Sequence, residues 1–159
     1  MINKIINRMM EFNKTDARRI NHALKVYAFA HNIAVNEGLT DTFVLDVSAV
    51  LHDIGITVCE KKYNSAAGIY QELEGVRIAR MLLADLDIDD DKLERILFYI
   101  GNHHTYSASN NIEFQIMIEA DLIVNAYEAK LDEYKIQEIK DNTFRTKAGK
   151  ALIETVFGL

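Results

Sequence analysis

Apolar residues along this chain fall at helical intervals. In its longest patterned stretch, Ile20, Ala23, Leu24, Ala30, Ile33 and Ala34 recur so as to stack along one side of a helix. Thr15 or Asp16 caps that helix, and Gly38 ends it. A first helix precedes it over residues 2–11. A third starts at Asp41 or Thr42 and runs through Val44, Leu45, Val47, Ser48 and Leu51 to His52–Asp53, where Gly55 breaks it. Residues 56–70, which hold Lys61, Lys62 and Tyr63, read as an irregular segment. Helices follow over about 73–84, 91–100 and 112–129, with shorter pieces near 133–140 and 146–156. No segment sustains the two-residue alternation of a half-buried strand, so essentially no sheet is expected.

There is no proline and there are only seven glycines, which suits long helices joined by short turns. The 159 residues are enough to bury a real core and match the length of one domain. No repeat, low-complexity tract or linker divides them. The expected fold is therefore all-α: a compact single-domain bundle of about seven helices spanning residues 1–159.

Charge and cysteine content narrow the function. The net charge of -6 opposes binding to a nucleic-acid polymer. A small phosphate ester needs only local positive charge, which a bound metal can supply. The single cysteine, Cys59, rules out an internal disulfide and a thiolate zinc site. No apolar run approaches the ~20 residues of a membrane span. The N-terminal stretch mixes Lys, Arg, Asn and Glu among its apolar residues, unlike a signal peptide. The expected location is the cytoplasm, with no membrane partner and with self-association left open.

Three places carry candidate chemistry. Asp121 shares its helix face with Phe114, Met117, Ile118 and Val124, where a lone carboxylate is costly to bury. Taken alone, an Asp paired with Arg or set at the edge of the stripe is the commoner explanation. His22 shares a face with Val26 and Phe29, and a lone histidine there is usually hydrogen-bonded in the core. His52–Asp53 is more telling. It closes the apolar run VLDVSAVL at the inner end of a buried helix, so both side chains need partners. Two imidazoles and two carboxylates on three helices suit manganese, iron, cobalt, nickel or zinc better than calcium. Such a cation lowers the pKa of a coordinated water and polarises a phosphoryl oxygen.

The order of these residues resembles the HD superfamily of metal-dependent phosphohydrolases, whose pattern is His, then His-Asp, then a distant Asp. RINHALKVYAFAHNIA supplies His22, VLHDIGI supplies His52–Asp53, and EADLIVNAY supplies Asp121. YQELEGVRIARMLL and NHHTY are similar to the family's following helix and its later His-His segment, so the resemblance covers about residues 15–130. It implies an all-α fold with a metal between central helices, ligated by His22, His52, Asp53 and Asp121. It also implies hydrolysis of a phosphomonoester or phosphodiester, often a nucleotide, by attack of a metal-activated water. Asp53 would be both ligand and catalytic residue, with His103 and His104 lining the pocket as further catalytic residues. Two-metal relatives carry another His where Gln71 aligns here. One tightly held ion is expected, with a second left open and Glu72 or Glu74 as the available substitutes. Many relatives carry Lys where Ile56 stands. Phosphate contact then falls to Arg19, Lys61, Lys62 or Arg77. The competing function is a metal- and nucleotide-binding sensor without turnover.

Other charged groups have plainer readings. His31 lies half a turn of angle from His22 and receives no role. The acidic run from Asp85 to Asp91 lacks the glycine and spacing of a calcium loop and reads as a solvated cap. Without the resemblance, His103–His104 at a helix end would read as surface residues.

Overall fold

The structure, a computed structural model, describes residues 1–65 and 67–159. Among them are nine α-helices and no strand: α1 (Ile2–Phe12), α2 (Ala17–Asn36), α3 (Phe43–Leu51), α4 (Ile56–Tyr63), α5 (Gly68–Leu83), α6 (Asp90–Ile100), α7 (Ile112–Glu128), α8 (Glu133–Thr143) and α9 (Lys147–Phe157). No helix among the described residues is long and apolar enough to cross a membrane.

Helix α3 is the axis of the fold. Every residue from Val44 to Leu51 is buried, as expected of a helix that is apolar on nearly all sides. It packs against α1, α2, α6 and α7. Its two polar residues are satisfied locally. Ser48 donates to the Val44 carbonyl at 2.8 Å, and Asp46 accepts from Thr42 Oγ1 at 2.9 Å while facing His31 Nδ1 at 3.1 Å. Helix α2 lies along both α3 and α7. His22, early in α2, meets Glu128 at the end of α7, whereas Glu37 after α2 shares a cleft with Gln115 near the start of α7. The two long helices are therefore antiparallel, with the core of Val26, Ala30, Ile33, Phe114, Met117 and Val124 close to fully buried.

The segment expected to be irregular is largely helical. Residues Ile56–Tyr63 form α4, and α5 starts at Gly68, five residues before its expected beginning at Leu73. The first turn of α5 faces solvent, with Ile69 72% exposed, so it carries no amphipathic signal. Gly55 has ordinary right-handed geometry (φ -75°, ψ -21°), and its carbonyl accepts the Cys59 N–H at 2.9 Å. It starts α4 rather than merely breaking α3. Its lack of a side chain serves another purpose: a Cβ here would lie 2.4 Å from the Gln71 carbonyl oxygen and 2.5 Å from the Gly75 nitrogen. The His52–Gly55 turn can therefore press directly onto the backbone of α5.

Candidate metal centre

His22 comes from α2, His52 directly follows α3 and is trailed by Asp53, and Asp121 comes from α7. Their ligating atoms converge. His22 Nε2 lies 3.3 Å from His52 Nε2, 3.2 Å from Asp121 Oδ1 and 3.5 Å from Asp53 Oδ2. His52 Nε2 lies 3.5 Å from both Asp53 Oδ2 and Asp121 Oδ1. Nitrogen and oxygen ligands held about 2.1 Å from one tetrahedral cation stand about 3.4 Å apart, so His22, His52 and Asp53 fit a metal ion, with Asp121 Oδ1 at similar distances from both histidines.

Hydrogen bonding strengthens the fit. The other ring nitrogen of each histidine faces an acceptor. His52 Nδ1 is 2.9 Å from the Ala49 carbonyl, and His22 Nδ1 is 3.1 Å from Glu128 Oε2. A proton on each Nδ1 leaves two Nε2 lone pairs aimed at each other and at two carboxylates. Such an arrangement calls for a cation between them. A proton meets the same need. Burial opposes charge on His52, yet Asp53 and Asp121 outweigh it and place its pKa well above the usual imidazole value. For Asp53 burial pushes the pKa up, but His52 and His103 pull it well below the usual carboxylate range. Asp121 is likewise lowered against burial, chiefly by hydrogen bonds from His22 and His52. Asn125 Nδ2 also donates to Asp121 Oδ1 at 2.9 Å.

Glu128 was not anticipated, although its position seven residues after Asp121 puts both on one face of α7. It receives Lys25 Nζ at 2.6 Å as well as His22. Burial raises the Glu128 pKa, but these two hydrogen bonds hold it down, so it is a fixed carboxylate behind the candidate ligand His22. Glu128→Ala is expected to weaken divalent-metal affinity by about 10–100-fold, as loss of such an outer partner commonly does. Competition with a fluorescent chelator measures this. Affinity equal to the wild type would show that Glu128 does not orient His22.

The second oxygen of Asp53 opens another cluster. Asp53 Oδ1 is 3.4 Å from His103 Nε2, a buried atom with no hydrogen-bond partner. His103 Nδ1 faces the Ile100 carbonyl at 2.8 Å, which again leaves Nε2 as a lone pair. Asp53, His103 and His104 each offer a donor atom, all within 4.8 Å of one another. Glu72 Oε1 accepts the His104 backbone N–H at 3.1 Å and lies 3.5 Å from His104 Nδ1. Glu74 turns away and is held by Lys62, Tyr63 and Arg77.

A cavity of about 270 Å³ opens above His22, Asp53 and Asp121. Arg18, Arg19, Ile56, Gln71, His104 and Tyr106 stand in its walls. Arg19 is the one phosphate candidate placed here, and it also pairs with Asp16 and Glu60. Lys62 and Arg77 both bond Glu74 and line a different groove. Lys61 is exposed on α4 and is not part of the cavity wall. Arg18 was missed. It precedes His22 by four residues and so shares its helix face, a signal present in the sequence.

Residues 19–137 match the family model of the HD domain. The chain belongs to the HD-domain family, whose members are generally metal-dependent hydrolases. No curated protein and no solved structure shows a significant match.

Proposed function

We propose that this HD domain is a cytoplasmic phosphohydrolase acting on a small phosphate ester, a nucleotide or related phosphomonoester or phosphodiester. What carries the reading is the approach of two imidazole Nε2 atoms to each other and to two carboxylates at 3.2–3.5 Å, at the floor of a cavity walled by Arg18 and Arg19. In this reading His22, His52, Asp53 and Asp121 hold one divalent transition metal tightly. Asp53, His103, His104 and Glu72 would hold a second, weaker ion. A cation bound here supplies a water of pKa near 7 and polarises the phosphoryl oxygen. Arg18 and Arg19 neutralise the remaining phosphate oxygens, with Arg19 braced by Asp16 and Glu60. Asp53 orients the attacking water, and buried His52 and His103 keep the floor of the site dry.

One observation favours a second reading, nucleotide sensing without turnover: apolar Ile56 stands in the cavity wall where many relatives carry Lys. Elemental analysis of the purified protein, with a phosphate-ester screen in added manganese or cobalt and thermal shift against the same esters, separates the two. The hydrolase reading expects a substoichiometric transition metal and metal-dependent phosphate release. Stabilisation by nucleotides without release would establish the sensor instead.

A further inference from the structure

Beyond Tyr106 the metal cavity adjoins a larger cleft of about 720 Å³ with a mixed polar and apolar lining. Tyr106 belongs to the walls of both, and the residue is 45% exposed at their junction. The first turn of α7, the segment after His104, and the connection between α8 and α9 enclose the cleft. Gln115, in its floor, lies six residues before Asp121 in α7. That separates the cleft from the metal centre by about 9 Å along the helix axis.

Two cations, Arg145 and Lys147, line this cleft, and neither forms an ion pair among the described residues. This is notable on a chain of net charge -6, where most lysines and arginines are paired. The one carboxylate in the wall, Glu37, is occupied by the Ala148 N–H at 2.6 Å. Several N–H groups around the start of α9 are also taken: the backbone N–H groups of Arg145 and Thr146 donate to Glu119, and that of Gly149 donates to Thr146 Oγ1. Attraction for an anion therefore comes chiefly from the two side chains.

We propose that this cleft is the distal half of the substrate site and binds a second anionic group on the phosphate ester. The substrate class is then a double-ended one: a phosphate at the metal centre, and a phosphate or carboxylate about one short linker away, with Tyr106 covering the linker. This rests on the phosphohydrolase reading for the first phosphate, but not for the affinity of the cleft itself.

Three probes test it on the manganese-loaded full chain: hexyl phosphate, hexane-1,6-diol bisphosphate and 6-phosphonooxyhexanoate. At least one double-ended probe is expected to show a KM about tenfold or more below that of hexyl phosphate. The better of the two identifies the distal anion as phosphate or carboxylate. In the Arg145→Ala/Lys147→Ala double variant that advantage should vanish, while kcat and KM for hexyl phosphate stay unchanged. Equal KM values for all three probes, or an advantage that survives the double variant, would overturn the proposal. Calorimetric titration with the inert analogues hexylphosphonate and hexane-1,6-bisphosphonate reads the same preference without turnover. Preference without phosphate release keeps the cleft and removes the hydrolase. Turnover of hexyl phosphate with no preference removes the cleft and keeps the hydrolase.

Discussion

Asp53→Ala protein is expected to purify without bound transition metal and to hydrolyse phosphate esters at least about 10³-fold more slowly than the wild type, the several kcal/mol of charge stabilisation that a metal supplies. The loss should be this large because the two oxygens of Asp53 face different clusters. Oδ2 stands with His22 and His52, whereas Oδ1 faces His103. Its truncation removes a carboxylate from both sets and leaves the remaining imidazole lone pairs facing each other. His103→Ala is the informative contrast. It leaves His22, His52, Asp53 and Asp121 untouched, so the wild-type metal content should remain, with turnover lowered by about 10²-fold. Plasma emission analysis and initial rates on the same samples measure both effects. Wild-type metal content in Asp53→Ala would remove Asp53 from the ligand set. Metal loss in His103→Ala would mean that the two clusters do not act separately.

The part of this site visible in the sequence is the part that sits on regular helices. His22 and Asp121 betray themselves as polar residues on apolar faces, and His52–Asp53 as the polar end of a helix buried on all sides. Their meeting point was legible through the HD pattern, whereas their 3.2–3.5 Å spacing comes from how α2, α3 and α7 pack. What escaped the sequence lies where periodicity is silent. Helix α4 went unseen because a glycine before it reads as a stop, when Gly55 is instead required by contact with α5. The choice of Glu72 over Glu74 beside His104 depends on which face of α5 turns toward α6, and Lys62, Tyr63 and Arg77 claim Glu74 for the other side. Arg18 and Glu128 were readable by helical spacing from His22 and Asp121, but a surface Arg and a surface Glu look alike in any helical chain until the partner is known. The cleft around Arg145 and Lys147 was beyond reach, since it joins the segment after His104 to a connection some forty residues later.

Glu119→Ala should be among the most destabilising single substitutions in the chain, at about 3–5 kcal/mol, since it leaves several buried donors unsatisfied at about 1–3 kcal/mol each. Glu119 is fully buried in α7, yet it lies two residues from Asp121 and so points nearly half a turn away from it. One oxygen accepts Gln115 Nε2 at 2.8 Å, the Arg145 N–H at 2.6 Å and the Thr146 N–H at 3.0 Å. The other accepts the Thr146 hydroxyl, which in turn caps α9 by accepting the Gly149 N–H at 2.9 Å. The fit is close enough that a Cβ on Gly149 would fall 1.9 Å from the carboxylate. Alanine would strand four donors in a space too enclosed for easy rearrangement and would loosen α9 from α7. Glu119→Gln keeps an acceptor oxygen but brings its own N–H₂ against donors, so its cost should be intermediate. At about 2–4 °C per kcal/mol for a chain of this size, the alanine variant should melt about 10 °C lower. Urea denaturation followed by circular dichroism gives the free energies. Metal affinity of the folded fraction should match the wild type, because no ligand side chain touches Glu119. A stability change below about 1 kcal/mol, the level of an ordinary surface substitution, would show that the connection before α9 is held by something other than this carboxylate.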